Sequence, residues 1–177
     1  ESFKKAVEEK MAADASDVPA ESSLVGRFRR YLEEEHEVGR FSDRMFRETY
    51  QITRKLERYL VIREHVGLKP AEFTPEMVVD FEKFCVDEYL YAANPKYADL
   101  YPRSYSECRY WPKRKLKEEP LRKVLLHFQT FWNDLVLFGE IKRSPYEGYV
   151  PCMEEKKQKG YSEMIGEPVS LTMDEFQ

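Results

Sequence analysis

Apolar residues recur at helical spacing in four separate stretches, and no stretch alternates with the period of two that marks a half-buried strand. The first stripe is Leu24, Phe28, Tyr31, Leu32 and Val38, with Ser22 or Ser23 as N-cap and Gly39 placed to close the helix. The second carries Met45, Thr49, Ile52, Leu56, Tyr59 and Leu60. Ser42 caps it, Asp43 lies in its first turn, and the pattern predicts an end near Gly67, with Pro70 beyond. The third opens at Thr74-Pro75, where the missing N–H of proline costs nothing. It shows Met77, Val78, Phe81, Phe84 and Cys85 and runs to about Ala93, before Asn94-Pro95. The fourth begins near Glu118, with Pro120 in its first turn. Its stripe is Leu121, Val124, Leu125, Phe128, Phe131, Trp132, Leu135 and Phe138, and Gly139 is placed to stop it. The expected fold class is all-α, a four-helix domain with flanking linkers.

The flanks read differently. Residues 1–13 suit a short helix, and residues 14–21 form an acidic, proline-interrupted linker. Between the third and fourth stripes, Tyr89, Tyr91, Tyr97, Tyr101, Tyr105, Tyr110 and Trp111 crowd a segment too long for an ordinary helix connection. Such irregularly spaced aromatics are expected to close over the core rather than to stack bases. After Gly139 the chain is punctuated by Pro145, Gly148, Pro151, Gly160, Gly166 and Pro168, as an extended linker would be. It ends on Thr172-Met173-Asp174-Glu175, a capping box with Leu171 and Phe176 as its staple. An isolated helix needs roughly 12–15 residues to hold, so this turn is read as the opening of a further domain. Glu1 likewise reads as a point inside something longer, since neither Met nor an apolar signal segment stands there. The expected organisation is therefore a linker or tail at 1–21, a helical domain at 22–150, a linker at 151–171 and a first turn at 172–177.

Composition narrows the chemistry. Apolar residues make up 42% of the 177, with 12 Tyr and 11 Phe, enough for a sizeable core. No apolar run approaches the length of a membrane-spanning helix. Three widely spaced cysteines, Cys85, Cys108 and Cys152, suit reduced thiols in a cytoplasm better than a disulfide framework. Cys85 falls on the third stripe and is read as packing. His36, His65 and His127 show no metal-ligand spacing with one another or with the cysteines, so neither a metal nor a cofactor is expected. Clustered acids such as Glu33-Glu34-Glu35 are read as a solvated face.

The net charge of −4 argues against nucleic acid only if it is evenly spread, and it is not. Residues 32–37 sum to −4 and residues 72–88 to −5, whereas residues 40–58 sum to +3 and residues 109–123 to +5. One reading is ordinary solvated surface. The other is that two basic segments, each leading a long amphipathic helix, sit together on a duplex. Lys and Arg would neutralise phosphates, and helix-leading N–H groups would add donors.

Four segments occur in an order and spacing that resembles a known family. They are GRFSDRMFRETYQITRKLERYL (39–60), FTPEMVVDFEKFC (73–85), LRKVLLHFQTFWNDLVLFGEIKRSPYEGY (121–149) and EPVSLTMDEF (167–176). Together they resemble the core-binding, SAM-like domain of tyrosine recombinases, the phage integrase family, in the style of integrases on mobile elements of Bacteroides-type bacteria. The most specific part is the fourth stripe. It has an aromatic pair before Asn133, a Gly-Glu-Ile exit, then Ser144-Pro145-Tyr146 where the family usually has Asn-Pro-Phe. Lys117-Glu118-Glu119-Pro120 stands where the family commonly has a Ser/Asn-x-Thr run, and residues 94–112 are longer and more aromatic than in the family.

The resemblance implies a site-specific recombinase that cuts and rejoins DNA through a 3′-phosphotyrosyl link, in a bacterial cytoplasm. The catalytic residues would belong to a separate domain, so no catalytic residue is assigned here. Residues 1–21 would be the tail of an arm-binding domain, and the partners would be double-stranded DNA and other protomers in a tetrameric synaptic complex, with the fragment alone monomeric. The DNA contacts it implies on the second helix are Ser42, Arg44, Arg47, Thr49, Tyr50, Arg54 and Lys55. Around the fourth helix they are Lys113, Arg114, Lys115, Lys117, Arg122, Lys123 and His127. The rival class is a helical protein-interaction module without DNA affinity, using the first helix or the aromatic segment as its surface.

Overall fold

The computed structural model describes residues 21–102 and 111–149. The short helix at 1–13, Tyr105, Tyr110, Cys108, Cys152, the linker after 150 and the capping box at Thr172 lie outside them. The chain divides into two compact units, Glu1–Glu147 and Gly148–Gln177. The first holds four helices: α1 (Leu24–Glu37), α2 (Asp43–Ile62), α3 (Pro75–Ala93) and α4 (Glu118–Leu137). Short 3-10 turns stand at Pro70–Glu72 and Pro95–Leu100. No strand occurs among the described residues, and the fold is all-α. None of its helices is long and apolar enough to cross a membrane.

Three helices start where the side chains dictate. The hydroxyls of Ser23, Ser42 and Thr74 accept from the backbone N–H groups of Gly26, Met45 and Met77 at 3.1, 3.2 and 3.3 Å. Each satisfies one of the orphan donors of its first turn. Three helices also end alike. At α1, Gly39 N–H donates to His36 O and Arg40 N–H to Glu35 O; at α4, Gly139 N–H donates to Val136 O and Glu140 N–H to Leu135 O. This is the Schellman closure, with glycine at φ +76° and +74°.

The end of α2 departs from expectation. It closes at Ile62 rather than near Gly67, through the same motif built on Glu64. Glu64 N–H donates to Val61 O and His65 N–H to Leu60 O, and Glu64 takes φ +59°. Nothing in the residue type marks that turn, because a side chain there is ordinarily penalised. Gly67 instead takes φ +83° in the loop beyond.

The core is aromatic. Phe128 on α4 lies within 5.2–6.2 Å, ring centre to ring centre, of Phe28, Phe73, Phe81, Phe131, Trp132 and Tyr146. It thus joins α1, α3, α4 and the connection before α3. Tyr146, from the Ser-Pro-Tyr after α4, is buried and meets Phe128 edge-on. Cys85 is buried in the α3 stripe as expected. Tyr91 packs on Phe84 and Tyr97, and buried Tyr101 meets Trp111 edge-on. The described part of the aromatic segment therefore does turn inward. Arg27 near the start of α1 grips Glu140 just past α4 through three hydrogen bonds of 3.2, 2.8 and 2.7 Å.

The charge alternation has a structural component. Arg29 of α1 pairs with Glu57 of α2 at 2.8 Å, and Arg63 just past α2 with Asp80 of α3 at 2.8 Å. Lys55 and Arg58 of α2 converge on Glu88 of α3, which is fully buried and also accepts from Tyr101. Part of the basic character of α2 thus faces the acidic character of α3.

Candidate nucleic-acid interface

The leading turn of α2 is anchored from behind. His36 Nε2 lies 2.7 Å from Asp43 Oδ1, tying the last turn of α1 to the first turn of α2, and the imidazole stacks on Phe46. Arg44 and Arg47 then extend into solvent. Arg44, 85% exposed, reaches Glu48 at 2.9 Å, and Arg47 donates to the Asp43 carbonyl at 3.2 Å. The Arg44 hydrogen bond, then its charge, holds the Glu48 carboxyl below its usual range, and Lys123 and His127 lower it further.

Lys123 and His127 lie near enough to Glu48 to alter its proton affinity, and the Phe41 ring meets the His127 ring edge-on at 6.5 Å. The start of α2 therefore stands beside the second and third turns of α4. On α4, Arg122 pairs with Glu118 at 3.3 Å and Lys123 with Glu119 at 3.9 Å, both exposed one-turn pairs of the kind that water and other anions readily displace. Burial pushes the His127 imidazole below its ordinary value while Glu48 opposes.

The approach to α4 is pinned at one point. Leu116 N–H donates to the Val86 carbonyl of α3 at 3.1 Å. Around that anchor Lys113, Arg114, Lys115 and Lys117 are all exposed. Lys117 is the N-cap residue and supplies no side-chain cap.

Not every candidate faces the same way. Ser42 spends its hydroxyl on the cap. Thr49 is buried, and its hydroxyl donates to the Met45 carbonyl at 2.8 Å. Lys55 is turned inward onto Glu88. Thr49 and Lys55 thus leave the α2–α4 edge, because each already satisfies a neighbour inside the fold. Tyr50 is half-buried between Phe46 and the Arg29 guanidinium, 5.7 Å from its ring centre. Arg54 is half-buried on the same face as Lys55 and Arg58. The exposed cationic candidates are Arg44, Arg47, Lys113, Arg114, Lys115, Lys117, Arg122 and Lys123.

The residue that sequence reasoning missed is Glu88. A signal was there: Phe81, Phe84, Cys85 and Glu88 share one face at helical spacing. Burial works against its ionisation, but the charges of Lys55 and Arg58, and then their hydrogen bonds, hold its carboxyl below the usual range. Among the described residues no group of three or more His, Cys, Asp and Glu is placed to hold a metal ion.

Comparison with known proteins returns no match, whether to a family model, a curated protein or a solved structure.

Proposed function

We propose that this helical unit is the DNA-binding core domain of a site-specific tyrosine recombinase, SAM-like in fold, gripping duplex DNA for a catalytic domain that does the cutting and rejoining. The observation that carries the reading is that the start of α2 stands beside the N-terminal half of α4, where the Phe41 ring meets His127. The exposed cations Arg44, Arg47, Lys115, Lys117, Arg122 and Lys123 of these two segments would supply the charge that phosphates need. The resemblance of residues 39–60, 73–85, 121–149 and 167–176 to the integrase family supplies the reaction class and the expectation of further protomers. The rival protein-interaction reading loses part of its surface, since Tyr91 and Tyr101 pack against the core.

The test is fluorescence anisotropy with a labelled duplex of about 30 base pairs over a range of salt concentrations. The reading expects saturable binding whose logarithm falls linearly with log salt. Salt-independent binding, or none at the lowest salt, contradicts it.

A further inference from the structure

A second basic feature lies away from the leading turns. Gln51, Arg54, Lys55 and Arg58 occupy one face of α2 and line a cleft of about 100 Å³, closed opposite by Leu100 and Trp111. Small-molecule pockets run to roughly 300–1,000 Å³, whereas a single water needs about 10–15 Å³ on the same kind of measure. The cleft is thus the size of an ion or of one substituent group.

Its chemistry is built from below. Arg58 donates through Nε to Glu88 at 2.7 Å, and its guanidinium lies 5.3 Å from the centre of the Tyr101 ring. That fixes the plane of the guanidinium, with the Tyr101 hydroxyl also beside it. Lys55 Nζ is held on the other oxygen of the same carboxylate. One buried acid thus orients two cations and neutralises only one of them. Arg54 and the Gln51 amide stand at the rim. A fixed guanidinium fork with a neighbouring ammonium matches the oxygens of a phosphate group. Leu100 and the Trp111 ring give it an apolar wall.

We propose that this cleft is a phosphate-binding site, accepting one phosphate group either from a nucleic-acid backbone or from a small phosphorylated molecule. It stands on the cleft and the Glu88 cluster, independently of the α2–α4 edge.

The experiment uses the whole 177-residue chain, labelled with nitrogen-15. Sodium phosphate is titrated against sodium chloride at matched ionic strength, following the Arg58 Nε–H and the Trp111 indole N–H. Saturable shifts at those two groups support the site. Non-saturating shifts spread over exposed cations such as Lys113 and Lys142 overturn it. Gln51→Glu, which places a carboxylate at the rim without touching the Glu88 cluster, should weaken phosphate at least tenfold. Glu88→Gln, which removes the adjacent acid, should tighten it several-fold at a temperature where its circular dichroism matches wild type. Unchanged affinity in both variants refutes the proposal. Thymidine 5′-monophosphate against thymidine, and duplex DNA as competitor, identify the source. Displacement of phosphate by duplex assigns the backbone, and binding of the monophosphate without displacement by duplex assigns the small molecule. Should phosphate saturate the cleft while duplex never binds, the site stands and the DNA reading falls. Duplex binding without any phosphate effect at Arg58 gives the reverse.

Discussion

Replacing Glu88 by Gln tests how the four helices are held. The substitution keeps the shape of the side chain and an acceptor for the Tyr101 hydroxyl. It removes the charge that Lys55 and Arg58 share, and both are largely enclosed, at 15% and 18% exposure. Deleting one partner of a buried ion pair costs about 3–5 kcal/mol, because the remaining charge is left without compensation. The two cations retain some access to water, which places the expected loss at the lower end, about 3 kcal/mol. For a unit of this size that is a fall in midpoint temperature of roughly 10 °C. Urea unfolding followed by circular dichroism at 222 nm reads the difference directly.

The pH dependence sharpens the test. The Glu88 carboxyl is depressed in the folded state, so its contribution is fully present above the unfolded value of about 4.3 and is lost as pH falls through the folded value. Asp80 and Glu140, lowered chiefly by hydrogen bonds from Arg63 and Arg27, lose stability over the same acidic range in both proteins. The gap between wild type and variant therefore isolates Glu88. It should be widest at pH 6–7 and close towards acid, where wild-type Glu88 is itself uncharged. A loss below about 1 kcal/mol at pH 7, or a gap that does not narrow with acid, refutes the reasoning.

Two further predictions concern single positions. Glu64→Gly should stabilise the domain by about 0.5–1 kcal/mol, since relief of the left-handed strain at φ +59° outweighs the flexibility that glycine gives the unfolded chain; a destabilised variant in urea would show that Glu64 makes a compensating contact. Burial pushes the Cys85 thiol up to about 12, so iodoacetamide at pH 8 should modify it only in denaturant, and rapid native labelling at that site by mass spectrometry would contradict its place in the core.

Much of this architecture was legible in the residues, and the failures have identifiable causes. Ser23, Ser42 and Thr74-Pro75 announced three helix starts because a short side-chain oxygen beside a helical stripe has one good use there. Gly39 and Gly139 announced two ends for the matching reason. The end of α2 was invisible because Glu64 does glycine's work, so the expected end moved to Gly67. The family resemblance implies DNA contacts at Thr49 and Lys55, although Thr49 lies on the apolar stripe itself and Lys55 turns onto Glu88. Charge summed along a helix cannot say which charges face a neighbour. Glu88 counted towards an acidic surface on α3 while it lies beneath Lys55 and Arg58. The nearness of Glu48 to Lys123 and His127 depends on how helices distant in sequence pack, which no local pattern carries.

The central claim is that the leading turns of α2 and α4 hold phosphates together, and the salt dependence of duplex binding measures it most directly. Each phosphate contact contributes about −0.9 to the slope of log affinity against log salt. Arg44→Ala and Lys115→Ala should each weaken binding and make that slope shallower by about one, and the double variant by about two. Slopes equal to wild type in all three variants would contradict the account.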